Sequence, residues 1–190
     1  MSNNITINRG SHDWTLYKVP RAFAVHLEFI SNPYNTPEAL RNEFDISENI
    51  NFYHIGSITN DQMEFFAVEN QSDLNTLMDE IRDGLDDFEF VSHVYSSYDD
   101  LDIDKDFDKT NTPTGKLFIE FKNKTTGEER KEFYEEWGLA KEEEIDFIDN
   151  AYNVVLKNAT MNPLKLSNEL STLENIKCCE ADMFFFVQHC

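Results

Sequence analysis

The chain has 190 residues, of which 40% are hydrophobic and 13% aromatic, enough core material for one ordinary domain or two small ones. Its 37 acidic residues against 16 basic ones give a formal net charge of −21, which disfavours binding to nucleic acid or to an anionic membrane. Residues 1–20 lack the apolar core of a signal peptide, and no apolar run has the length of a membrane span. We therefore expect a cytoplasmic protein.

The first hundred residues predict the element order βαββαβ. "FAVHLEF" (23–29) reads as a strand, and Thr36 followed by Pro37 has the residue types of a helix N-cap and first turn. Residues 50–58 and 63–70 are rich in β-formers around a short turn, which predicts a hairpin.

A second helix of this first half is predicted between that hairpin and a closing strand. Ser72 is the expected N-cap and Gly84 the expected stop. The apolar residues between them recur at helical spacing and should form its buried face: Leu74, Leu77, Met78 and Ile81. "FEFVSHVY" (88–95) then closes the unit as a strand.

An acidic stretch follows, with five aspartates at alternating positions from 100 to 108. It lacks the turn glycine and the terminal glutamate of an EF-hand, so a calcium loop is disfavoured. Repulsion between the carboxylates predicts an extended acidic linker over residues 101–112.

The remaining residues repeat the same order. "KLFIEFK" (116–122) predicts a strand, and "GEERKEFYEEWGL" a helix with acids in its first turn and Gly138 just past its end. "EEIDFIDN" and "AYNVVLKN" (143–158) predict the next strand pair. Asn162 and Pro163 begin a helix that buries Leu166, Leu170 and Leu173, and a last strand starts near Ile176.

This pattern predicts an α+β fold of two tandem ferredoxin-like (βαββαβ) sandwiches. The expected divisions are an N-terminal unit at 1–100, the linker at 101–112, and a C-terminal unit at 113–190 that ends in a tail.

Catalytic and metal-binding signatures are absent from the sequence, which predicts a protein that is not an enzyme and has no cofactor and no metal. A pair of histidines, His26 and His93, falls on strands that should be neighbours, but a solvent-facing pair explains them better than a site. The Glu142–Glu144 run reads as a solvated strand entry. The three cysteines, Cys178, Cys179 and Cys190, read as reduced structural thiols.

The C-terminal half resembles the proregions of subtilisin-like serine proteases and the related propeptide-type inhibitors. The resemblance spans residues 113–182 and is carried by "PTGKLFIEFK", "GLAKEEEIDFIDNAYNVVL", "NPLKLSNELSTLENI" and "CCEAD". The first half, from "YKVPRAFAVHLEF" through "FVSHVYSSYDD", resembles a more divergent copy of the domain that precedes such proregions in some bacterial proteases. It has no acidic pair in its last strand, "VSHVYSS". We expect this first copy to pack on the second or to extend its contact surface, without binding a protease in the same way.

The resemblance implies that the chain binds, blocks and assists the folding of a subtilisin-like serine protease, in cis or in trans. Glu180 and Asp182 are the expected docking acids, because residues two apart on a strand share a face and helix N-termini attract anions. The cleft-binding tail is then Phe184, Phe185, Phe186, Val187, Gln188, His189 and Cys190, with Cys190 or a neighbour in the primary specificity pocket. A simple buried edge strand is the other interpretation of the phenylalanines.

Two other functions fit the tandem pattern. One is an ACT-like small-molecule-sensing module, although the loops that follow the first strand of each half, "SNPYNTPEA" and "NKTTGEER", hold a single glycine, which disfavours a small-molecule ligand. The other is an acidic protein-interaction scaffold.

Overall fold

The computed structural model describes residues 4–9, 12–26, 36–58, 63–157 and 161–185 as a strand-rich, mixed α/β protein. Its helices are α1 (Pro37–Phe44), α2 (Leu74–Gly84), α3 (Gly127–Glu136) and α4 (Pro163–Leu170). Its strands are β1 (Asn4–Arg9), β2 (His12–His26), β3 (Phe52–Ile58), β4 (Met63–Val68), β5 (Phe90–Ser96), β6 (Thr110–Phe121), β7 (Leu139–Glu144), β8 (Ala151–Leu156) and β9 (Ile176–Phe185).

All described strands belong to one antiparallel sheet. Its N-terminal half has the order β3-β4-β2-β5, and its C-terminal half has the order β7-β8-β6 with β9 on the other side of β6. The two halves join where β5 pairs with the start of β6, through Tyr95 opposite Asn111 and Ser96 opposite Thr110. The sheet therefore runs without interruption from one half to the other.

Most of the predicted helix signals are confirmed. Thr36 accepts a hydrogen bond from the Ala39 amide at 3.2 Å, and the side chain of Asn162 accepts from two amides of α4. At the start of α3, Thr126 and Glu129 form a reciprocal capping box that the sequence analysis did not predict. Ser72 does not cap α2: the chain enters this helix through a 3₁₀ turn at 71–73, and the serine hydroxyl donates to Asp73 instead.

Both helix pairs pack on the same face of the sheet and form two apolar cores. The side chains predicted for the buried face of α2 are all buried, which confirms that prediction. The N-terminal core includes Phe23, Val25, Leu40, Phe66 and Leu77. The C-terminal core includes Leu117, Ile119, Val154, Leu164, Leu170 and Met183.

An N-terminal hairpin, which the sequence did not predict, completes the C-terminal core. It consists of β1 and residues 12–17 of β2, paired in register from Asn4–Tyr17 to Arg9–His12. Ile7 and Leu16 are buried among the side chains of the C-terminal half. The side-chain amide of Asn168, on α4, donates a hydrogen bond to the backbone carbonyl of Thr6 at 2.8 Å. The first half thus contributes side chains to the core of the second.

The acidic segment between β5 and β6 is packed, not extended. It places Leu101, Ile103 and Phe107 against the face of the N-terminal sheet opposite the helices, where Ile103 is only 2% exposed. Repulsion is overcome because the aspartates have cationic partners: Lys105 lies 2.7 Å from Asp102, Lys109 2.5 Å from Asp106 and Arg21 2.7 Å from Asp104. Tyr53 also donates to Asp104. The N-terminal sheet is therefore covered on both faces.

The first strand of the predicted pair at 143–158 lies earlier in the chain. β7 begins at Leu139, a buried residue that pairs with Leu156, whereas residues 145–150 turn back toward β8. The Ile148 amide donates to the Ile145 carbonyl within this turn. Burial of Leu139 decides the register, since it outweighs the β-forming character of the residues that follow.

Candidate functional site

The C-terminal half of the sheet has a face that points away from α3 and α4. Ile119, Cys179 and Ala181 are buried in the helix-covered core, so the residues alternating with them lie on the opposite face. We call this the open face. Its side chains are exposed or half-buried: Phe118, Glu120, Asn153, Val155, Cys178, Glu180, Asp182 and Phe184.

Glu180 and Asp182 both lie on the open face, as their spacing predicted. Asp182 is exposed, and one of its carboxylate oxygens accepts from the Thr114 hydroxyl at 2.6 Å. Glu180 is half-buried, pairs with Phe118 across the strands, and lies 3.7 Å from the Cys178 sulfur. Neither carboxylate is directed into the helix-covered core.

The first two residues of the predicted cleft-binding tail belong to the sheet and not to a free tail. Phe184 and Phe185 belong to β9, where they pair with Thr112 and Asn111 of β6. β6 begins at Thr110, before the boundary expected at 113, so it supplies partners for two more residues of β9. Trp14 of the N-terminal hairpin makes an edge contact with Phe185 at 6.3 Å between ring centroids.

The rest of the predicted tail lies outside the described residues: Phe186, Val187, Gln188, His189 and Cys190. The same holds for residues 27–29 of the first predicted strand, which is described as far as His26.

The two described cysteines are free thiols on opposite faces of β9, as predicted. Burial, reinforced by the neighbouring Glu180 carboxylate, raises the pKa of Cys178 to about 11. Burial raises the pKa of Cys179 to about 12. Because the thiolate is the nucleophile, neither side chain is activated for covalent chemistry.

The two histidines considered as a pair, His26 at the end of β2 and His93 on β5, do not form a site. His26 stands opposite Phe90 and stacks on its ring, whereas His93 stands opposite Phe23. The prediction that both face solvent is also wrong for His93, which is mostly buried on the helix side.

Ser57, His54 and Glu64 form a hydrogen-bonded cluster that the sequence analysis did not predict. The Ser57 hydroxyl donates to Glu64 Oε2 at 2.5 Å, and His54 Nε2 lies 2.7 Å from the same oxygen. In a catalytic triad the imidazole uses one nitrogen for the nucleophile and the other for the acid. Here the same nitrogen, Nε2, faces both Glu64 and Ser57, the latter at 3.2 Å, so this arrangement is not a relay.

Within the described parts of the chain, no group of three or more His, Cys, Asp or Glu side chains is arranged to hold a metal ion. None of the helices described has both the length and the apolarity needed to cross a bilayer. Comparison with known protein families, with curated proteins and with solved structures finds no match for this chain.

Proposed function

We propose that this chain is a protease-binding module of the subtilisin-proregion type, which docks on a subtilisin-like serine protease through its open face and inhibits it. Glu180 and Asp182 then meet the N-termini of helices on the protease. Partial charges at helix N-termini attract carboxylates, by about 0.3–1 kcal/mol each at exposed sites. On this proposal the chain is a binding protein and not an enzyme.

The observation that carries the proposal is the contrast between the two halves of the sheet. On the side away from the helices, Phe65, Val94 and Ala24 of the N-terminal half are buried beneath the acidic segment. On the same side of the C-terminal half, Phe118 and Val155 remain part-exposed. A sheet face with apolar residues and a carboxylate pair matches a docking surface better than a solvated face.

We also propose that the two halves are tandem ferredoxin-like copies. With β1 left aside, each half has four strands and places its second, third, first and fourth strand in that spatial order, with a helix after the first strand and another after the third. The N-terminal copy then serves as a support for the docking copy, because its hairpin fills the core beneath β9.

Inhibition assays with a panel of subtilisin-like proteases test the docking role. The double variant Glu180→Gln, Asp182→Asn should inhibit about tenfold more weakly, which corresponds to about 1.4 kcal/mol shared by two carboxylates. The matched control is Glu132→Gln, Glu136→Gln, which removes the same charge from exposed positions of α3. Equal inhibition by wild type and both double variants would refute docking through the acidic pair.

A truncation after Phe185 tests the cleft-binding segment separately. The cut falls after Phe185, which pairs with Asn111, so the described residues of β9 keep their partners in β6. We expect the truncated protein to stay folded, to retain protease binding and to lose most inhibition. Undiminished inhibition would show that residues 186–190 do not occupy the cleft.

A further inference from the structure

A cavity of about 390 Å³ lies between α3, β7 and the end of β8. Cavities of roughly 300–1,000 Å³ have the size that holds small organic molecules. Part of its wall is apolar and consists of Tyr134, Leu139 and Ala140, of which the first two are almost fully buried. Gly127, the first residue of α3, lines the cavity with backbone alone. It is the one glycine in the two loops whose composition disfavoured a small-molecule ligand.

Lysines dominate the charged part of the wall. Three of the nine described residues that line the cavity are lysines, each from a different place in the fold: Lys131 on α3, Lys141 on β7, and Lys157 just after β8. Only two lining residues are acidic, although the whole chain has 37 acidic residues for 16 basic ones. One of the two, Glu142, already accepts hydrogen bonds from Arg130 at 2.7 and 3.0 Å. The charge ratio of the chain is thus reversed at this cavity, which suits an anionic ligand.

The ion pairs that two of these lysines make within the chain are weak. The Lys131 ammonium lies 3.8 Å from Glu135, and both side chains are at least 70% exposed. The Lys157 ammonium lies 3.8 Å from Asp87, and both of these side chains are more than half exposed. Exposed pairs at such separations contribute little stability. Both lysines can therefore turn towards a bound anion without giving up a strong partner.

Lys141 and Lys157 are brought to the cavity beside the same loop of the N-terminal half. β7 has a bulge between Ala140 and Glu143, and Lys141 within it has a left-handed backbone with a φ of 52°. The Lys141 ammonium lies 3.6 Å from the centre of the Phe88 ring, and Phe88 is left-handed as well, with a φ of 73°. The Phe88 amide donates to the Lys157 carbonyl at 2.9 Å. Bulges re-aim side chains beside functional sites, and here the bulge and the loop together fix both lysines.

We propose that this cavity binds a small organic anion, one that carries a carboxylate or phosphate group and an apolar part such as a ring. Lys141, Lys157 and Lys131 hold the anionic group, because ammonium groups form charge-assisted hydrogen bonds with carboxylates and phosphates. The apolar part lies against Tyr134 and Leu139. This activity goes beyond protease docking and is independent of it, because α3 covers one face of the sheet and the open face is the other.

Binding of phenyl phosphate and of benzoate to the full chain tests the proposal. Each probe joins a ring to one of the two anionic groups, whereas the comparators, inorganic phosphate and phenol, each lack one of these parts. At least one probe should produce saturable shifts of the Leu139 and Ala140 methyl signals in NMR spectra. Both comparators should bind about tenfold more weakly than that probe. The tighter-binding probe identifies the anionic group.

Charge variants separate ligand recognition from a structural role. Lys141→Gln, Lys157→Gln should weaken probe binding about tenfold, as expected for the loss of two partly exposed charge partners. Lys141→Arg, Lys157→Arg keeps both charges and should bind within about threefold of wild type. The matched control Lys116→Gln, Lys165→Gln removes two exposed lysines outside the cavity and should bind like wild type. Unfolding temperatures measured without probe show that each variant is folded.

The proposal is overturned if neither probe shifts the Leu139 and Ala140 signals, or if phenol and inorganic phosphate bind as tightly as the probes. It is also overturned if the glutamine double variant binds like the control. Equal losses of binding in the arginine and glutamine double variants would show that the charge of these lysines is not what the ligand recognises.

Discussion

The N-terminal hairpin should be needed for the stability of the C-terminal half, and Leu16 is the residue at which to test this. Leu16 is 1% exposed and lies in the C-terminal core, although it precedes that half by about a hundred residues. Leu16→Ala removes buried atoms and leaves a cavity, which costs about 2–5 kcal/mol. This is a large fraction of the roughly 5–15 kcal/mol that stabilises a typical domain.

The assay has to show where the stability is lost as well as how much. Denaturant unfolding gives the free-energy change, and amide hydrogen exchange shows which elements open more readily. We expect Leu16→Ala to weaken protection in α4 and β9 first. The control Leu77→Ala removes an equally buried leucine of α2, which is 0% exposed, and should weaken protection in α1, α2 and the N-terminal strands.

A loss below about 1 kcal/mol in Leu16→Ala, with wild-type protection in α4 and β9, would refute the reasoning. The loss of these buried contacts should also destabilise a C-terminal half that is expressed without the N-terminal half. Without Ile7, Leu16 and Tyr95 that half would expose apolar surface worth about 1.5–3 kcal/mol for each side chain, and we expect it not to fold alone.

Three further predictions concern the acidic segment and β9. A Cβ atom added at Gly56 would lie 2.7 Å from the Phe107 ring, so Gly56→Ala should cost about 1–3 kcal/mol, and less in a Phe107→Ala background. An equal cost in both backgrounds would show that the ring is not the obstacle. The Tyr53 hydroxyl and the Arg21 guanidinium hold the pKa of Asp104 below its usual value. Their stabilising effect is therefore complete above the unfolded pKa and is lost as the pH falls through the folded one. Wild type should lose more stability than Asp104→Asn between about pH 5 and pH 2, and parallel curves would contradict this. Cys178, with a pKa of about 11, should react with iodoacetamide at about pH 8 more slowly than a free cysteine, as followed by peptide mass spectrometry; an equal rate would contradict the raised pKa.

The sequence by itself determined the features that depend on neighbouring residues. Thr36, Thr126 and Asn162 cap helices because a short polar side chain can reach amides two or three residues ahead. The alternation along β9 placed Glu180 and Asp182 on one face for an equally local reason. Local geometry repeats wherever the same residue pattern occurs, so such features can be predicted from one sequence.

The tertiary structure alone decided the features that depend on distant partners. Leu16 belongs to the C-terminal core because β2 extends beyond the N-terminal half, and its residues 12–17 pair with β1 in the hairpin that packs on that core. The acidic segment packs because Arg21, far away in the sequence, neutralises Asp104. The Asn162 side chain at the start of α4 donates to the Tyr95 hydroxyl of β5, although the two residues are 67 positions apart in the chain. These contacts join residues tens to more than a hundred positions apart, and no local pattern encodes which of many possible partners a side chain will meet.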